Sequence, residues 1–88
     1  MQIHTRIREY LAANVLYVDD AFQYDDDTSF ISEGLIDSMG VMELVEFAQS
    51  EFGIKVEQHE LLPDNFDSVN RLASFIGRKI GAEAVVLR

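Results

Sequence analysis

One serine stands out among the residues that could support chemistry. Ser38 follows Asp37 and comes directly before an amphipathic segment that is predicted to be helical. Both residue types are common N-caps, so starting the helix is the simplest role for the pair. The alternative uses the same geometry, because a serine at a helix N-terminus is exposed and the N–H groups there favour an attached phosphate.

Other combinations that support catalysis or metal binding are missing from the sequence. The two histidines, His4 and His59, lie in no metal-ligand spacing, and the chain has no cysteine and no glycine-rich phosphate loop. A calcium loop starting at Asp25 would need glycine and glutamate where Phe30 and Ile36 stand. We therefore predict that the protein is not an enzyme and binds no metal.

The charge of the chain is strongly negative and unevenly distributed. Its 88 residues include 16 acids and seven bases, for a net charge of −9. Residues 10–54 contain ten of the acids and no lysine or arginine. This balance argues against nucleic-acid binding, which needs a basic face. The acidic half is either a solvated surface or a patch that attracts basic partners.

The composition predicts one globular domain with no stable membrane insertion. Apolar residues make up 48% of the chain, but no run is long enough to span a bilayer. The N-terminus is amphipathic and lacks the apolar core of a secretory signal. We expect a cytoplasmic protein, with which the lack of cysteine is compatible.

The periodicity predicts an all-α protein, a small bundle of three main helices and one short helix. A first helix over residues 2–14 is followed by a loop of about 20 residues, in which apolar side chains could contact the core: Phe22, Phe30, Ile31, Leu35 and Ile36. The second helix begins at Asp37 or Ser38 and ends near Phe52 before Gly53. A short helical turn over residues 57–62 stops at Pro63, and residues 64–67 form a turn. The last helix ends at Gly81, so residues 1–81 form the domain and 82–88 a loose tail.

The second helix has two different faces. The face predicted to lie on the core contains Val41, Val45, Ala48 and Phe52. The face predicted to be exposed contains Met39, Met42, Glu43 and Glu46. Methionine recurs on surfaces that meet several partners, which favours a partner role for Met42. For Met39, packing against the long loop is an equally good explanation.

Three blocks of sequence around this helix resemble the acyl and peptidyl carrier protein family. They are Asp37-Ser38-Met39-Gly40, Glu43-Leu44-Val45 and Glu51-Phe52-Gly53-Ile54, and the resemblance covers about residues 3–79. It implies a four-helix carrier domain with 4′-phosphopantetheine on Ser38, directly after Asp37. The thiol of that group would hold an acyl or aminoacyl cargo as a thioester.

The resemblance also implies partners and narrows the type of carrier. The exposed face of the second helix would dock a phosphopantetheinyl transferase, an acyl or aminoacyl ligase, and downstream synthase enzymes, with the carrier acting as a monomer. Gly40 stands where fatty-acid carriers usually have an acid, and Met39 replaces the commoner leucine. These departures are similar to stand-alone aminoacyl carriers such as the D-alanyl carrier protein. The alternative is a small acidic protein-interaction module without a prosthetic group.

Overall fold

The described part of the chain is entirely helical. The computed structural model describes residues 3–16 and 24–86, with side chains as far as residue 81. The helices are α1 (Ile3–Asn14), α2 (Ser38–Phe52), α3 (Pro63–Phe66) and α4 (Val69–Val86), and a 3₁₀ turn at Gln58–Glu60 precedes α3. The predicted small helical bundle is confirmed. The start predicted for the first helix, Gln2, lies outside the described residues.

The core is built from one apolar stripe on each long helix, together with Phe30 and Ile36 of the loop, Ile54 after α2 and Phe66 of α3. Helix α4 contacts α1, α2 and α3, so its stripe lies at the centre of the bundle. The largest completely buried side chains come from the three long helices and the loop: Ile7, Leu11, Phe30, Leu44, Val69, Leu72 and Ile76. Their spacing of three or four residues within each helix produces a continuous apolar face.

Helix α2 has the two faces that its sequence predicts, with one difference. Val45 and Ala48 are buried, but Leu44 is buried more completely than Val41 or Phe52, which are only half-buried. The core stripe therefore runs along positions 41, 44, 45 and 48 rather than 41, 45, 48 and 52. The helix ends as predicted. Gly53 adopts a left-handed conformation (φ 66°) and its N–H donates to the carbonyl of Gln49 at 3.0 Å.

The described part of the long loop, residues 24–37, is anchored in the core by two side chains. Phe30 is 1% exposed and Ile36 is 6% exposed. Ile31 was also predicted to contact the core, and this is wrong because its side chain is 55% exposed. Two other sequence features of the loop, Phe22 and the aspartates at 19 and 20, lie outside the described residues.

Hydrogen bonds fix this loop to the junction between α3 and α4. The Asp67 carboxylate accepts from the Ile31 N–H at 3.0 Å and from the Ser29 hydroxyl. The backbone carbonyl of Asp67 accepts from the Phe30 N–H at 2.9 Å. In α4, Asn70 donates its backbone N–H to the Asp26 carbonyl at 2.9 Å. The position of the loop is therefore fixed by Asp67, before α4, and by Asn70 in its first turn.

Several helix boundaries differ from the predicted ones. Pro63 begins α3 instead of ending a helical turn, because a proline at the first helical position gives up an N–H that would have no helical acceptor. The preceding turn is shortened to Gln58–Glu60. Gly81 does not end α4, which continues to Val86. One internal glycine costs about 1 kcal/mol relative to alanine, and the flanking alanines 82 and 84 favour continuation. The domain boundary at residue 81 stays a prediction.

A partly buried ion pair connects the 3₁₀ turn with α4. Lys79 Nζ lies 3.0 Å from Glu60 Oε1, and the two side chains are 21% and 19% exposed. The Glu57 N–H donates to the same carboxylate at 2.9 Å. This backbone hydrogen bond, followed by the Lys79 side chain, lowers the pKa of Glu60 against the opposing effect of burial. The hydrogen bond from Arg8 likewise lowers the pKa of Asp26 in the loop.

These shifts predict that the fold loses stability in acid. A carboxylate with a lowered pKa stabilises the folded state above its unfolded pKa, about 4.3 for glutamate, and this contribution disappears as the pH falls through the folded pKa. We expect Glu60→Gln, which keeps an oxygen for the Glu57 N–H, to flatten the decline of the melting temperature below about pH 4.3. Thermal melts from pH 7 to pH 3 measure this. Equal slopes for both proteins would exclude Glu60 as a source of acid sensitivity.

Candidate functional site

The start of α2 separates the roles of Asp37 and Ser38. Asp37 has extended backbone angles, and its carboxylate accepts from the Gly40 N–H at 2.9 Å. Its carbonyl accepts from the Val41 N–H at 3.0 Å, which closes the first helical turn. Asp37 is therefore the N-cap, and Ser38 is the first helical residue with an exposed side chain. Because the cap is supplied by its neighbour, the Ser38 hydroxyl is not needed to start the helix.

The other serines of the chain lie in different environments. Ser68 precedes α4 but is 2% exposed, and its hydroxyl accepts from the Arg71 N–H at 3.1 Å. The hydroxyl of Ser29 is bonded to Asp67. Three exposed serines lie in a turn or inside a helix: Ser32, Ser50 and Ser74. Only Ser38 is an exposed serine at the start of a long helix.

An apolar cavity of about 440 Å³ opens beside Ser38. It lies between the loop, the start of α2 and the region of α3. Its apolar lining is formed by Phe30, Ile31, Ile36, Val41, Leu61, Leu62, Pro63 and Phe66. Ile31 and Leu62 are at least half exposed, so they offer apolar surface to an approaching molecule. A flexible chain attached to Ser38 would have this cavity within its immediate reach.

A second groove, of about 640 Å³, lies between α1 and α2. The four residues predicted as a docking face all line it: Met39, Met42, Glu43 and Glu46. Met39 is 74% exposed and Met42 52% exposed, so Met39 does not pack against the loop. The structure thus brings the four side chains together on one surface that begins at the residue after Ser38.

Sequence reasoning missed two aromatic residues of this groove. Tyr10 of α1 stacks on Phe47 of α2, with the ring centroids 4.2 Å apart and the planes at 22°. Tyr10 has helical spacing from Ile3 and Ile7, which is typical of a core position, but it is only half-buried. The one available signal was that Phe47 lies one turn beyond Glu43, on the edge of the exposed face. Arg6 of α1 forms an ion pair with Glu51 of α2, which also lines the groove.

Two kinds of site are not found in the described residues. No group of three or more histidines, aspartates or glutamates there is arranged to hold a metal ion. In the same part of the chain, no helix is long and apolar enough to cross a membrane.

A comparison with models of protein families identifies the family of this chain. The family model for a phosphopantetheine attachment site matches residues 5–76. This segment contains the start of α2, the cavity beside Ser38 and the groove between α1 and α2. The chain belongs to this family. It is therefore a carrier protein and not itself an enzyme, and its prosthetic group is 4′-phosphopantetheine attached covalently to a serine. A search of curated proteins gave no significant match.

The family settles several predictions made from the sequence. The family resemblance, the prosthetic group and the non-catalytic role of the carrier are confirmed. Carriers of this kind interact with phosphopantetheinyl transferases and with biosynthetic enzymes, so both classes are partners of this carrier in general terms. An acidic interaction module without a prosthetic group is not supported by the match.

Proposed function

We propose that Ser38 carries the 4′-phosphopantetheine arm, and that the protein holds acyl or aminoacyl groups as thioesters and shuttles them between enzymes. The observation that carries the proposal is the exposed hydroxyl of Ser38 at the first position of α2, next to a cap already supplied by Asp37. The other serine that precedes a long helix, Ser68, is buried and serves as a hydrogen-bond acceptor.

The residues around Ser38 fit the group. The first N–H groups of a helix have no acceptor within it, and the Asp37 carboxylate takes only that of Gly40. The positive end of the α2 dipole therefore faces a phosphate esterified to Ser38. The arm, when attached, supplies a thiol on a flexible chain. The protein contributes the point of attachment and apolar surface beside it.

The benefit of such a carrier is a high effective concentration of its cargo. An intermediate attached to the arm meets each enzyme site that docks the carrier, without diffusing freely in between. The cargo is acyl or aminoacyl. The Ser38-Met39-Gly40 sequence and the Phe52-Gly53-Ile54 end of α2 support the stand-alone aminoacyl or D-alanyl type. We further propose a cytoplasmic monomer, for which the acidic exposed surface and the lack of cysteine are the support.

We also propose that the α1–α2 groove is the docking surface for the transferase, the ligase and the downstream synthases. Exposed methionines next to Ser38 offer adaptable apolar contact, and Glu43 and Glu46 add negative charge at their edge. Encounters guided by such charges are fast, weak and sensitive to salt. These properties suit a carrier that must leave each enzyme after use.

The attachment is tested by mass spectrometry. The purified protein is incubated with a broad-specificity phosphopantetheinyl transferase, coenzyme A and Mg²⁺, and its intact mass and fragment masses are measured. One phosphopantetheine increment on the fragment containing Ser38 is expected. An increment mapped to any other serine contradicts the assignment, as does failure with two different transferases on a protein with a native circular dichroism spectrum.

Charge reversal tests the docking surface. We expect Glu43→Lys and Glu46→Lys each to lower kcat/KM for the transferase about tenfold at low salt, with little change in folding, because steering by opposite charge is lost. The difference should shrink as salt screens the charges. Asp64→Lys is the control, since Asp64 lies outside the groove and its side chain is 89% exposed. Its ion pair with Arg71 lies at the surface, where such pairs contribute little to stability. An equal loss in the control would mean that net charge, and not this surface, sets the rate.

A further inference from the structure

Gly40, in the first turn of α2, leaves no room for a side chain. A Cβ placed on Gly40 would lie 2.5 Å from Cγ2 of Ile36 and 3.4 Å from its Cβ. Cγ2 belongs to a β-branched side chain, so it can move away only if χ1 of Ile36 changes or the backbone shifts. Ile36 is also 6% exposed, which leaves little space for another rotamer.

Ile36 is well placed to transmit such a shift to Ser38. It is two residues before Ser38, its N–H donates to the Phe30 carbonyl at 3.4 Å, and its side chain lines the cavity beside the serine. The residue between them, Asp37, is the N-cap that bonds back to the Gly40 N–H. Residues 36–40 therefore form a closed unit in which the Ile36 side chain covers the backbone of Gly40.

We propose that Gly40 and Ile36 form a steric pair that sets the position of the Ser38 hydroxyl for modification. Both would act through Ser38 and not on the reacting atoms, so both are positioning residues. The proposal rests on Ser38 as the attachment site and adds the device that orients it. It also explains why glycine stands where fatty-acid carriers usually have an acid, because an acidic side chain cannot occupy this position while Ile36 keeps its packing.

Two substitutions and their combination test the pair. Gly40→Ala introduces the clashing Cβ, whereas Ile36→Leu moves the branch from Cβ to Cγ and removes the atom that is struck. Gly77→Ala is the control, because it is also a glycine inside a helix and a Cβ there meets nothing within 4 Å. The transferase, coenzyme A and Mg²⁺ provide the assay, with the carrier concentration varied to separate kcat from KM. Every variant is measured at a temperature where its circular dichroism spectrum is native.

We expect Gly40→Ala to lower kcat roughly tenfold, since small misplacements of a reacting group have effects of this size or larger. The double variant Gly40→Ala, Ile36→Leu should recover most of that loss, and Gly77→Ala should keep the wild-type kcat. If Gly40→Ala fails to fold, a folded double variant with near wild-type kcat supports the pair equally well.

Three results would overturn the proposal. They are a wild-type kcat in Gly40→Ala, a loss that Ile36→Leu does not repair, and a double variant that does not fold. The first of these, together with a lower melting temperature, would give the glycine a structural role only. The wild-type protein keeps the two proposals apart, since its fragment masses test Ser38 independently of any variant.

Discussion

Replacing Ser38 with alanine is expected to abolish attachment of the phosphopantetheine arm completely and to leave the fold nearly unchanged. The variant has no hydroxyl at the proposed attachment position, and the other exposed serines do not lie at a helix start. The helix keeps its cap because Asp37, and not Ser38, accepts the Gly40 N–H. Alanine is a good helix former, so we expect the free energy of unfolding to stay within about 0.5 kcal/mol of the wild type.

Asp37→Ala should have the opposite effects to Ser38→Ala, with stability lowered and modification retained. It removes the N-cap, which costs about 1 kcal/mol, but it retains the serine hydroxyl and hence the ability to be modified. Asp37→Asn is the matched control, since asparagine caps helices as well as aspartate does. It should restore most of the lost stability.

Urea unfolding gives the free energy of unfolding, and intact mass gives the extent of modification. Both are measured on the same samples. Any residual increment in Ser38→Ala would move the attachment to another residue. A loss of more than about 1 kcal/mol in Ser38→Ala would mean that the serine shares the cap after all. The two residues would then not have separable roles.

Phe30→Ala is expected to have the largest effect on stability. Phe30 is 1% exposed and belongs to the same buried cluster as Leu44, Leu72 and Ile76, although it lies in a loop. Removing a buried phenylalanine costs about 3–5 kcal/mol through lost transfer free energy and the cavity left behind. Native domains are stable by only about 5–15 kcal/mol, so this one change removes a large share of the total.

Its neighbour provides the contrast. Ile31→Ala, at a side chain that is 55% exposed, should change the free energy of unfolding by no more than about 0.5 kcal/mol. The two variants are compared by urea unfolding. Similar losses at both positions would mean that burial does not decide how much each side chain contributes to stability. The Phe30 side chain would then not be the main anchor of the loop.

The features that could be predicted from the sequence are those decided by local rules. The position of Asp37-Ser38 at the start of α2 and the left-handed Gly53 at its end both follow from capping preferences. The exposed Met39 and Glu43 followed from helical periodicity. Each of these depends on residues within one or two turns of the same helix.

Most of the features that were mispredicted depend on partners distant in the chain. The sequence does not distinguish Phe30 from Ile31, since both are apolar and adjacent. The hydrogen bonds to Asp67 decide which one faces the core. The groove between α1 and α2 likewise requires Tyr10 to meet Phe47 across two helices. At Gly81, the weak helix-breaking tendency of a single glycine was overestimated against its helix-forming neighbours.

The hydrogen bonds between Asp67 and the loop limit when the loop can be fixed during synthesis of the chain. The hydrogen bond from Ile31 to Asp67 joins residues that are 36 positions apart in the chain. While the ribosome is still short of residue 67, the nascent chain already contains Ser38 but lacks the acceptor that fixes the loop before it. The loop that precedes the proposed attachment serine can therefore be fixed in its final position only after synthesis has passed Asp67.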